Sequence, residues 1–316
     1  MTETLRVAIA QIAPVWLDRE RTLEKMLAWA GRAAEQDAKI VVFGEALVPG
    51  YPWWVEFTDG AQFDDDRQKQ WFAHYADQSC EPDHHFKQLA EFAADNDVAI
   101  VFGCMERALD RGGHSLYCSM VTILGNGLIQ PTHRKLMPTH AERLVWAQGD
   151  GHGLRVHKVP PFTVGALNCW ENWMPLPRAA LHAMGEDLHV MTWPGNRRNT
   201  EDITRFAARE GRSYVISAST VMRPADVADI APMADELRAA LPELCADGGS
   251  CVAAPDGSWV CEPAPDQELV IVADLDHARV RRERQNFDIS GHYSRPEILH
   301  LELDSRRHRG LWPKSH

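Results

Sequence analysis

The run Phe162-Thr163-Val164-Gly165-Ala166-Leu167-Asn168-Cys169-Trp170-Glu171-Asn172 opens as a buried strand and closes on a thiol. Its first half is apolar and β-prone, and the strand signal stops at Cys169, where a polar and then Pro-rich segment begins. Strand ends in α/β sheets are where ligands bind, so a thiol delivered there is a candidate nucleophile. Free cysteines are also among the most buried residue types, and simple packing is the competing reading of this stretch taken alone.

The flanking sequence repeats the alternation of strand and helix. Upstream, Leu5 to Gln11 reads as a strand. Arg19 to Gln36 carries Leu23, Met26, Leu27, Ala30 and Ala34 at helical spacing, and Lys39 to Phe43 is a second strand ending in Gly44-Glu45-Ala46. A carboxylate directly after Val-Val-Phe is poorly explained by packing. Pro49-Gly50-Tyr51-Pro52-Trp53-Trp54 follows as a rigid aromatic loop. Asp64 to Ala76 and Pro82 to Asn96 read as helices and Val98 to Cys104 as a strand. Ser115 to Leu124 and Leu128 to Thr132 flank Gly125-Asn126-Gly127, a hairpin signal whose second arm runs into His133-Arg134-Lys135.

Downstream, Pro175 opens a helix to about Gly185, Leu188 to Trp193 is a strand stopped by Pro194-Gly195, and Thr200 to Gly211 is a helix. Tyr214 to Thr220 and Leu269 to Asp274 are strands, Cys251 to Ala254 and Trp259 to Cys261 form a hairpin, and a last helix covers about Asp276 to Gln285. Pro224 to Asp247, rich in Ala, Asp and Pro, reads as a surface insertion. This alternation implies an α/β protein with helices on both sides of its sheets. With no boundary linker, residues 1–300 read as one domain and 301–316 as a loosely held polar tail.

Composition excludes several classes. The 316 residues are 45% apolar and 25% charged, as in an ordinary soluble protein, and a net charge of -12 opposes nucleic acid or an anionic membrane as partner. No apolar run reaches the ~18 residues of a spanning helix, and Met1 to Pro14 lacks a basic n-region. Seven cysteines without a CxxC pair point to a reducing, cytoplasmic setting and away from a disulfide framework or zinc knuckle. No HExxH or other close ligand pair is present, so His133 and His140 read as structural histidines and no metal or cofactor is expected.

Three strand-end groups, Glu45, Lys135 and Cys169, call for a joint explanation. A thiol attacks carbon as its thiolate, and a carboxylate in a dry pocket can have its pKa raised enough to take the proton. A nearby ammonium stabilises thiolate and the charge developing on the substrate. The surrounding blocks are far more specific than the trio. Phe43-Gly44-Glu45-Ala46 with Pro49-Gly50-Tyr51-Pro52, His133-Arg134-Lys135-Leu136 with Pro138-Thr139 and Glu142-Arg143, and Asn168-Cys169-Trp170-Glu171-Asn172 resemble the three signature blocks of the nitrilase (carbon-nitrogen hydrolase) superfamily, in its order. Trp193-Pro194-Gly195 and Phe287 to Pro296 also resemble segments of the nitrilase branch, over roughly residues 5 to 300 in all.

The resemblance implies an α-β-β-α sandwich, with Cys169 as nucleophile, Glu45 as general base, Lys135 as stabilising cation and Glu142 as an additional glutamate. It further implies a small-molecule nitrile as substrate, hydrolysed to acid and ammonia through a thioimidate on Cys169, and self-association into dimers that stack into spirals. Tyr51, Trp54, Trp170 and Trp193, in or beside the motif loops, are expected to wall the substrate pocket, and the Trp170 amide to help hold the developing negative charge. Glu171 reads either as a direct participant or as a hydrogen-bond acceptor behind the site. An amidase, a carbamoylase or a cyanide dihydratase would use the same groups. A non-catalytic scaffold of the same fold, or a thiol redox protein, is the reading from another class.

Overall fold

The computed structural model describes residues 3–309. Two six-stranded sheets form its centre, each mixed in direction. The first runs, in spatial order, Leu269–Asp276, Thr4–Gln11, Ile40–Val42, Ala99–Arg107, Leu116–Ile123 and His133–Arg134. The second runs Trp259–Cys261, Cys251–Ala253, Tyr214–Ser219, Leu188–Trp193, Phe162–Asn168 and Val156–Val159. Central strands in each sheet are parallel and the outer ones antiparallel. That arrangement explains why Ile40–Val42 and Leu188–Trp193 are buried on both faces.

The inner faces pack on each other. Leu5, Val7, Ile9, Val42 and Val101 of the first sheet share a buried cluster with Val164, Val190, Ile216 and Val252 of the second. The outer face of the first sheet is covered by helix Arg19–Ala34, which contributes Leu23, Met26 and Trp29, and by Lys87–Asn96 through Leu89 and Ala93. Ile203, Ala207 and Ala208 of helix Arg197–Gly211 cover Met191 and Val215 of the second sheet, and Pro175–Ala183 adds Ala180 and Leu181 over Leu167. The result is four layers, α-β-β-α, as expected.

Several local expectations change. The Gly125-Asn126-Gly127 turn forms, but its return arm pairs only through the Ile123–Ile129 bridge before His133–Arg134 regains the ladder. Pro82 to Asn96 breaks at Phe86, whose ring is fully buried against Phe102. The 224–247 segment is no surface insertion. It folds into a 3-10 turn, helix Ala234–Ala240 and the strand pair Val221–Met222 with Ala246–Asp247. Its Val227, Leu237, Leu241 and Ala246 are buried in one cluster with Trp16, Trp54 and Trp71. Ala- and Asp-rich composition masked this because only a few scattered apolar side chains carry the burial, while Ile230 and Leu244 stay exposed. Of the tail, residues 310–316 lie outside the described residues, and the described part is anchored, since Arg307 bonds Asp150 and the Thr132 carbonyl, and the His308 amide reaches Asp150.

Candidate active site

Glu45, Lys135, Glu142 and Cys169 come together at one end of the sandwich, all buried. Glu45 follows the short strand Ile40–Val42 and turns across to the second sheet, its amide donating to the Trp193 carbonyl at 3.1 Å. Ala46 just beyond it is left-handed, with φ of 50°. Backbones crowd here. A Cβ on Gly103 would lie 2.6 Å from the Glu45 Cα and 2.3 Å from the Ala46 nitrogen, so only glycine lets strand Ala99–Arg107 pass beneath the carboxylate.

Lys135 leaves the edge strand His133–Arg134, held by its amide donating to the Cys118 carbonyl at 2.8 Å. Its ammonium is a fork between two carboxylates, 2.9 Å from Glu45 Oε1 and 2.7 Å from Glu142 Oε2, with the Trp146 ring centroid 5.3 Å away. Glu142 sits at the third position of the 3-10 turn His140–Leu144. There it accepts from the Thr139 amide at 2.6 Å and, on its other oxygen, from the Tyr51 hydroxyl at 3.1 Å. The Thr-x-x-Glu spacing of a capping box is the signal that places this carboxylate.

Cys169 ends strand Phe162–Asn168 and begins the 3-10 turn Cys169–Trp173 with φ of 48°, a sharp elbow that turns the thiol out of the sheet direction. Its sulfur and one oxygen each of Glu45 and Glu142 lie within 4.8 Å of one another. The Lys135 ammonium already occupies the positive position between those carboxylates, so this donor set is filled as an ion cluster without a metal. Glu171 does not turn the same way as Cys169, because the chain stops being a strand there. Its carboxylate instead accepts from the Asn168 and Leu136 amides and the His133 ring.

Burial sets the protonation states. The Glu45 carboxyl is pushed up to about 7, chiefly by loss of water, with Lys135 pulling it down and Glu142 pushing it up. One of its oxygens, Oε2, has no hydrogen-bond partner. Burial and the neighbouring carboxylate of Glu45 hold the Cys169 thiol well above the ordinary range, against the pull of Lys135 and of the Trp170 amide. Burial alone would lower Lys135, but Cys169, Glu45 and Glu142 raise it well above the usual ammonium value. The resting site is therefore a neutral thiol beside a firmly charged ammonium and a carboxyl poised near neutrality.

Cys169 and Glu142 open into a cleft of about 540 Å³ whose walls include Tyr51, Trp53, Thr139, His140, Trp170, Asn196 and Arg198. Tyr51 and the half-exposed Trp170 line it. Trp54 and Trp193 do not. Trp54 is 1% exposed, stacked edge-on against Tyr75 at 4.7 Å, and Trp193 is fully buried with its indole N–H on Ser217. Helix Trp53–Phe57 turns the first tryptophan to the cleft and the second to the core, a choice that a Trp-Trp pair cannot reveal by itself. Cys118 is buried in the core and also donates its S–H to Glu45 Oε1 at 3.5 Å. Arg198, Asn196 and Glu56 on the cleft carry no motif and escaped the sequence reading.

The carbon-nitrogen hydrolase family model matches residues 6–285. An aliphatic nitrilase of Rhodococcus rhodochrous is 32% identical over 96% of this chain and 84% of its own length. An aliphatic nitrilase of Sinorhizobium fredii is 35% identical over 95% of both chains. The solved carbon-nitrogen hydrolase of Helicobacter pylori superposes with a TM-score of 0.67 at 18% identity, covering 90% of this chain and 93% of that one.

Proposed function

The chain belongs to the carbon-nitrogen hydrolase family, and we propose that within it the protein is a nitrilase, converting a small organic nitrile to the carboxylic acid and ammonia. As a family member it is a hydrolase acting on carbon-nitrogen bonds. The nitrile is supported by similarity to nitrilases at 32% and 35% identity over nearly all of this chain. The roles of individual residues rest on one observation above all: an acid, an ammonium and a thiol from three distant stretches meet in one buried cluster, from which Cys169 opens into a cleft.

Cys169 is the nucleophile. Its proton passes to Glu45, whose unpartnered Oε2 is free to accept it, as the sulfur adds to the nitrile carbon. Glu45 returns that proton to the nitrile nitrogen, giving a thioimidate and restoring its carboxylate, while Lys135 and the Trp170 amide stabilise the negative charge developing on that nitrogen. A water that gives its proton to Glu45 then adds to the carbon, and Glu45 passes that proton to the nitrogen, which leaves as ammonia. A second water cleaves the resulting thioester, restoring the thiol and releasing the acid. Glu142 and Tyr51 keep the lysine aimed, and Tyr51, Trp53 and Trp170 contact the substrate.

The seven cysteines, all free, suit a reducing and hence cytoplasmic setting. Among the described residues no helix is long and apolar enough to cross a membrane. Self-association is supported by Trp173, Leu176 and Phe206, large apolar side chains left exposed.

Incubation of the purified protein with a panel of aliphatic and arylaliphatic nitriles and with their matching amides tests the reading. Ammonia and acid should appear from at least one nitrile, with the amide hydrolysed much more slowly. Turnover of amides alone would replace the nitrilase by an amidase using the same groups.

A further inference from the structure

We infer that Glu171 is a positioning residue that sets the register between the cation and the nucleophile by fastening the two sheets together behind them. This rests on the roles given above to Lys135 and Cys169. Those two side chains arrive from different sheets: Lys135 follows the edge strand His133–Arg134 of the first, and Cys169 follows Phe162–Asn168 of the second. Among the described residues, His133–Arg134 and Phe162–Asn168 belong to separate sheets and share no hydrogen-bonded ladder. A connection between them must therefore come from a side chain.

Glu171 makes that connection with both oxygens. Oε1 accepts from the amide of Leu136, the residue after Lys135, and Oε2 accepts from the amide of Asn168, the residue before Cys169, at 2.9 Å. The ring Nε2–H of His133, two residues before Lys135, lies 3.1 Å from Oε2 and 3.2 Å from Oε1. All donors are neighbours in sequence of one of the two reacting residues. The carboxylate is 1% exposed, and burial would favour its neutral form, yet His133 and the two amides hold its pKa below the ordinary value. A buried carboxylate that accepts three N–H donors has its charge compensated inside the protein and behaves as a fixed post.

The spacing gives the post its geometry. Asn168 caps the turn Cys169–Trp173 and Glu171 occupies its third position, so the same carboxylate that closes the capping box also reaches across to the other sheet. Glu171 itself is absent from the walls of the cleft, whereas Cys169 and Trp170 line it. It thus acts through its neighbours and not on the substrate.

Replacing Glu171 by Gln keeps the size but sets an NH2 group against one of the amide donors, which should spread Lys135 and Cys169 apart. The expected result is a 10- to 100-fold fall in kcat with KM changed less than about threefold, the range found when groups that orient a reacting residue are removed. Two further measurements separate register from general damage. Alkylation of Cys169 by iodoacetamide, followed by peptide mass, should slow and shift its pH profile upward in Glu171→Gln, because the thiolate loses its aligned ammonium; this readout needs no nitrile turnover and stands even if the substrate assignment fails. His133→Gln, which leaves both amide contacts in place, should fold and show the same changes in smaller measure. Wild-type kcat in Glu171→Gln, or a Cys169 alkylation profile unmoved in both variants, would overturn the inference.

Discussion

At the scale of single residues the site is governed by where water is missing. Glu45, Lys135 and Cys169 would be an unremarkable acid, base and thiol on a surface; buried together, they become a shared proton store. With the Glu45 carboxyl at about 7 and the thiol held higher, the carboxylate is the form that can take the thiol proton. The kcat/KM of the wild type should therefore rise with pH through about 7 as Glu45 loses its proton, and level off above it. Glu142 contributes to that value through its negative charge, which disfavours a second carboxylate beside it. Removing the charge in Glu142→Gln lowers the Glu45 pKa, so the rising limb of the pH-rate profile should move to lower pH while kcat falls as Lys135 loses a partner. A limb that stays put would separate Glu142 from the proton store.

At the scale of elements, reactivity depends on how closely backbones approach. Gly103 passes directly under Glu45, and any side chain there must displace the strand end that carries the carboxylate. Gly103→Ala should lower kcat at least tenfold and cost about 1–3 kcal/mol of stability, as overpacking of a tight site does; activity and chemical denaturation check it together. This scale also separates what was legible in the sequence from what was not. Strand ends were legible at Glu45 and Cys169, because apolar runs stop there at groups that packing does not need, whereas Lys135 follows the polar two-residue strand His133–Arg134 and not the expected arm Leu128 to Thr132. The Thr139/Glu142 and Asn168/Glu171 capping boxes were written in the spacing too, although no periodicity drew notice to them. Side-chain facing was not legible. Trp53 and Trp54 differ only in which side of a five-residue helix they occupy, and Trp193 reads as a motif residue although its carbonyl, not its ring, serves the site by holding the Glu45 amide.

For the whole molecule, the two sheets put the reacting groups at one edge of a shared core, and segments distant in sequence close that edge from outside. The 224–247 segment buries the tryptophans behind the aromatic loop, and the chain beyond residue 300 returns to it. There Arg307 donates 3.0 Å to Asp150 and 2.7 Å to the carbonyl of Thr132, just before the edge strand that leads to Lys135. Ending the protein at residue 300 should cost about 1–3 kcal/mol, since Asp150 regains water as it loses its partners, and should lower kcat by loosening that strand. Thermal unfolding with parallel assays checks both. An unchanged midpoint would mean that the returning chain lies on the surface without holding it.

The covalent step is the centre of the account, and acid-quenching the wild-type enzyme during nitrile turnover, followed by peptide mass spectrometry, tests it most directly. The peptide containing Cys169 should carry an added mass equal to the nitrile, or to the acyl group that follows loss of ammonia, and Cys169→Ala should neither carry it nor release ammonia. Ammonia release by a folded Cys169→Ala protein, or an adduct found only on another residue, would contradict it.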